Sequence, residues 1–111
     1  TIPEIRSFFE DVHTNVAFVN LVNFGNHDLL AMSVNARLKD VEGTRTASLS
    51  EAAPIAELEF VLPLTAYAAD PVLEFQVTKT PRSGQAASTS WFEWPLAAKG
   101  NVVSLTWDLI R

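Results

Sequence analysis

Apolar and polar residues alternate along much of the chain. From Leu30 to Lys39, the residues Leu30, Met32, Val34, Ala36 and Leu38 share one side of an extended backbone; Ala31, Ser33, Asn35, Arg37 and Lys39 share the other. Successive side chains of a strand point to opposite sides, so this segment predicts a strand with one buried and one wet face. The same period of two sets Leu58, Phe60 and Leu62 against Glu57, Glu59 and Val61. It sets Leu73, Phe75 and Val77 against Glu74, Gln76 and Thr78. In the last segment, Val103, Leu105, Trp107 and Leu109 alternate with Ser104, Thr106 and Asp108.

Val16–Phe24 departs from this pattern. Phe18, Val22 and Phe24 share a side with Asn20, while Ala17, Val19 and Leu21 share the other with Asn23. With both sides largely apolar, the segment predicts a central strand covered on both faces, or one whose outer face meets a partner. The cover within the chain would be the N-terminal segment or a loop.

The punctuation suits strands. Gly25-Asn26-His27-Asp28, Asp40-Val41-Glu42-Gly43, Pro81-Arg82-Ser83-Gly84 and Lys99-Gly100-Asn101 carry turn chemistry between the runs. A further strand is expected over Thr44–Leu49, followed by a connection that Pro54 keeps from being a continuous helix. Gly84–Ser90 is small and polar and reads as a loop. Pro63, inside an apolar run, marks an edge strand or a strand that changes sheets. Ile5, Phe8, Phe9 and Val12 fall on one helical face, so Thr1–Val12 fits either a two-turn helix or an edge strand.

These elements predict an all-β single domain over residues 1–111: an antiparallel β-sandwich of about seven strands, immunoglobulin-like or a related Greek key. The alternative is an α+β domain with the N-terminal helix on a curved antiparallel sheet. Composition narrows the picture. The chain is 48% hydrophobic and 19% charged, which separates it from disordered sequences. It has no cysteine, hence no disulfide framework, no cysteine-based metal site and no thiol nucleophile. The net charge of −5 argues against a nucleic-acid partner, whose phosphates call for Lys and Arg. No apolar stretch approaches the ~20 residues of a membrane-spanning helix. A chain starting at Thr1 instead of Met is expected to be a processed product, favouring a secreted or periplasmic setting, with the cytoplasm left open.

Candidate chemistry is sparse. His13 and His27 flank the Val16–Phe24 run, too far apart to share a metal, and read as solvated loop residues. Glu57 and Glu59 lie two residues apart on one strand face, ~6.5–7 Å in an extended chain, a spacing also found between glycosidase carboxylates. There is no Gly-rich phosphate loop and no G-x-S-x-G, and the residues call for no cofactor and no metal. The run Ser90-Trp91-Phe92-Glu93-Trp94-Pro95 is more suggestive, because alternation puts Trp91 on the side opposite Phe92 and Trp94. One of these sides must leave the core, and Arg82 is placed to approach it.

The expected function is therefore a non-enzymatic interaction or assembly module. It would bind a protein partner or itself through Phe18, Val19 and Leu21, or through Trp91, Phe92 and Trp94 with Arg82. The alternatives are a small-ligand or carbohydrate-binding module using the tryptophans, and a small hydrolase using Glu57 and Glu59.

Overall fold

A computed structural model of the chain describes residues 11–111. These residues form a sandwich of two β-sheets. The strands are β1 (Asp11–Asn20), β2 (Ala31–Leu38), β3 (Arg45–Leu49), β4 (Ile55–Pro63), β5 (Val72–Thr80), β6 (Ala87–Ser88), β7 (Phe92–Pro95) and β8 (Val102–Leu105). Three short helices, α1 (Leu64–Ala68), α2 (Leu96–Lys99) and α3 (Trp107–Ile110), and a 3-10 turn at Phe24–Asn26 occupy connections and the C-terminal end.

One sheet has the order β4-β1-β8, and the other has β3-β2-β5, with β6 and β7 both on the remaining side of β5. With β1 taken as strand B, the pairs β1/β4 and β3-β2-β5-β7 follow the order of B/E and C′-C-F-G in an immunoglobulin-like sandwich. The side of β1 where that fold carries strand A is taken here by β8, running parallel to β1 with Ala17 beside Val102 and Asn20 beside Leu105. All other strand pairs are antiparallel.

Alternation builds the core. Val16 and Phe18 of β1, Phe60 and Leu62 of β4, and Val103 and Leu105 of β8 face inward from one sheet. Met32, Val34, Ala36 and Leu38 of β2, Leu49 of β3 and Leu73, Phe75 and Val77 of β5 face them from the other. Phe18 meets Phe75 across the gap edge to face, with ring centroids 5.7 Å apart. Antibody domains join these same two strands, B and F, by a disulfide. In a chain without cysteine the aromatic pair bridges them instead.

The structure departs from the sequence-based expectations at definite points. The Val16–Phe24 run is not one strand. β1 starts earlier, at Asp11, and ends at Asn20, whose Oδ1 accepts the Val22 N–H at 2.9 Å. Asn23 then accepts the Gly25 N–H and starts the 3-10 turn. Such local side-chain bonds compete with the ladder and end it. His13 is consequently a strand residue and not a loop residue. Leu30 lies before β2 and is exposed instead of continuing its buried row.

The last strand stops at Leu105, because the Thr106 hydroxyl accepts the Leu109 N–H and caps α3. In the segment expected to be a loop, Ala87–Ser88 pairs with β5, and Thr89 exchanges two bonds with Val77, through its N–H and its hydroxyl. The strand number rises to eight among the described residues. Of the Thr1–Val12 segment, residues 1–10 lie outside the described part, and Asp11 and Val12 belong to β1. Pro63 ends β4, which is an edge strand among the described residues.

Candidate functional site

The two outer faces of the sandwich differ in chemistry. On the five-stranded sheet, register places Asn35 opposite Gln76 and Arg37 opposite Glu74. These side chains bond one another. Arg37 Nε lies 3.0 Å from Glu74 Oε1, the Thr46 hydroxyl donates to Asn35 Oδ1 at 2.9 Å, and Gln76 Nε2 donates to the Thr89 carbonyl at 3.0 Å. Thr78 and Ser88 hydroxyls are 2.8 Å apart, and Lys39 reaches Glu93 at 3.5 Å. The face is polar and its groups are largely bonded to each other.

The outer face of the three-stranded sheet is divided. Its β1 N-terminal half is polar: His13 Nδ1 lies 3.3 Å from Glu59 Oε1, with both side chains exposed. Its other half is richer in apolar residues, with Glu57 opposite Ala17 and Ser104 beside Val19 as its polar members. Val19 stands opposite Ile55, and Ala17 beside Val102. Leu21 carries the outward alternation past the end of β1, where its N–H still bonds the Leu105 carbonyl. Leu21, Ile55 and Val102 keep 59%, 63% and 55% of their surface exposed. Three exposed apolar side chains on one half of a sheet face are more than the single exposed apolar residues that are ordinary on protein surfaces.

The sequence-selected residues divide among these environments. Val19 and Leu21 face outward in the apolar half. Phe18 does not: it is fully buried against Phe75 and cannot touch a partner, because inward and outward positions alternate along β1. The aromatic run splits as alternation requires. Phe92 and Trp94 turn inward onto Phe75, with centroids 5.1 and 6.4 Å away, and the Trp94 indole N–H donates to the Gly100 carbonyl at 2.9 Å. Trp91 lies on the outer face. The cation over its ring is Arg37, 4.0 Å from the centroid, and not Arg82, which sits exposed in the turn after β5. Glu57 and Glu59 are exposed on an open sheet face.

Arg37 thus bridges Trp91 and Glu74. Substituting Arg37 by methionine should cost no more than ~1 kcal/mol, since the pair is partly solvated. It should move the Trp91 indole N–H resonance while leaving that of Trp94 in place. An unmoved Trp91 signal would mean that the stacking is absent in solution.

A further feature lies at one end of the sandwich. His27, just past the 3-10 turn, stacks on Trp107 of α3 with centroids 3.8 Å apart and ring planes 18° apart. Lys79 of β5 brings its Nζ to 5.2 Å from the same ring. With Leu29, Pro81 and Ala87 they line a cavity of about 330 Å³. Part of this was readable in advance, because Lys79 continues the inward row of Leu73, Phe75 and Val77. The position of Trp107 was not, since it depends on α3 replacing a strand.

Comparison with protein-family models, with curated proteins and with solved structures found no match, so the functional reading rests on the geometry of these surfaces.

Proposed function

We propose that the domain is a non-enzymatic protein-interaction module that self-associates through the apolar half of its three-stranded sheet. The observation that carries the reading is the contrast between the two outer faces. One is laced with cross-strand hydrogen bonds and ion pairs, and the other presents Leu21, Ile55 and Val102 to water beside the half-buried Val19. Covering such a patch removes apolar area from water at roughly 25 cal/mol per Å². A patch near the edge of a sheet face can also meet its own copy about a twofold axis, the commonest symmetry of soluble dimers.

Sedimentation over a range of concentrations tests this. The wild-type protein should shift from monomer to dimer as concentration rises. A Leu21→Lys/Ile55→Lys double variant should remain monomeric, with an unchanged circular dichroism spectrum, because both side chains already face solvent. A wild-type chain that stays monomeric up to ~1 mM, the weak limit of specific association, would overturn self-association.

A further inference from the structure

We propose that the cavity between the β1–β2 connection, the β5–β6 hairpin and α3 binds a small amphipathic carboxylate, independently of the self-association surface. Three observations converge on this site. The inward row of β5 runs Leu73, Phe75, Val77 and then Lys79, so the row that fills the core ends in a cation at the mouth of the sandwich. Among the described residues no carboxylate lies within 4.0 Å of the Lys79 amine, whereas Arg37 of the neighbouring strand and Lys39 just beyond its end both have one. The amine instead stands over the Trp107 indole, whose ring also carries the His27 stack.

Lys79 is half-buried, and its amine stands on an aromatic face with no carboxylate partner among the described residues, so its charge is open to an anionic ligand. Apart from His27, Asp28 and Gln85, the remaining lining fits the other end of such a ligand. Leu29 is buried, and Pro81, Ala87 and the Trp107 ring supply apolar walls. The one acid of the lining, Asp28, accepts a hydrogen bond from the Ser83 hydroxyl at 2.9 Å and lies more than 4.0 Å from the Lys79 amine, so the ligand's carboxylate is placed on the Lys79 side, away from it. A volume of about 330 Å³ is at the small end of the range for organic ligands, which limits the occupant to a short aryl or acyl carboxylate. The carboxylate lies on Lys79, and the apolar body lies on Leu29, Pro81, Ala87 and Trp107.

The test uses 4-phenylbutyrate as probe and its neutral amide, 4-phenylbutyramide, as control. Both are titrated into the intact protein and followed by nitrogen–proton correlation spectra. 4-Phenylbutyrate should give saturable shifts confined to the Trp107 indole N–H and the amides of Leu29, Lys79 and Ala87. The amide should bind at least fivefold more weakly. Lys79→Met should weaken 4-phenylbutyrate binding at least fivefold, while Lys39→Met, just past the end of β2 and paired with Glu93, should leave it unchanged. Equal affinity for acid and amide would overturn the proposal, as would shifts spread over the whole surface or the absence of saturation. The acid–amide comparison on the wild-type chain decides the matter even if the Lys79 variant fails to fold.

Discussion

Replacing Phe75 by alanine is expected to cost about 3–5 kcal/mol, the range for removing a buried aromatic ring from a packed core. Phe75 is fully buried, and three other rings meet it: Phe18 from the opposite sheet, and Phe92 and Trp94 from the neighbouring strand β7. Collapse around the missing ring is limited, because all three neighbours sit on strands whose registers are set by backbone ladders. Domains of this class are stable by only about 5–15 kcal/mol, so this single change would leave little margin. Urea denaturation followed by far-ultraviolet circular dichroism measures it. A loss below ~1.5 kcal/mol, the cost of a volume-conserving swap, would mean that the rings do not pack on one another as described. The corresponding change at Trp91, on the outer face, should be several times smaller.

The second large effect concerns the C-terminal end, where strand and helix predict opposite rankings. A strand continuing through Leu109 would turn Trp107 and Leu109 inward and Ile110 outward. In α3, Ile110 is fully buried, while Trp107 and Leu109 are half-buried at the edge of the core. Ile110→Ala should therefore cost about 2–5 kcal/mol and Leu109→Ala distinctly less. Thermal unfolding of the two variants gives the ranking directly. If Leu109→Ala proved the more damaging, the alternation would run to the end of the chain and the Thr106 cap would be disproved.

Where alternation was strict, the fold was legible from residues alone. The inward rows of β2, β4 and β5 match the alternating residues Met32–Leu38, Leu58–Leu62 and Leu73–Val77. A period of two needs only one buried side to be read. The misreadings share a cause. At Asn20, Asn23 and Thr106 a short polar side chain bonds nearby backbone and ends or redirects an extended run whose apolar pattern continues. The pairing of Ala87–Ser88 was hidden by composition, because two small residues and the bonds of Thr89 carry no hydrophobic signal.

The candidate surfaces were legible in part. The outward positions of Val19 and Leu21 follow from the same period that hides Phe18, so deciding which side of the run faced the core was the missing step. The partner of Trp91 was assigned by nearness in sequence to Arg82, whereas strand pairing brings Arg37 to it from 54 positions away. The cavity at His27, Lys79 and Trp107 draws on three segments that only the closed sandwich brings together.

The parallel pairing of β1 with β8 also has a consequence in time. Ala17 and Val102 are 85 positions apart, so among the described residues one edge of β1 has no strand partner until Val102 has been made. At a synthesis rate of roughly 5–20 residues per second, that edge and the apolar residues beside it wait about 4–17 s. During that interval β1 can pair with β4 and the hairpin of β2 and β3 can form, but the three-stranded sheet stays incomplete. An emerging chain of this protein thus exposes an open strand edge beside the outward side chains of Val19, Leu21 and Ile55. Pairing of β8 with β1 closes the sandwich and covers that edge.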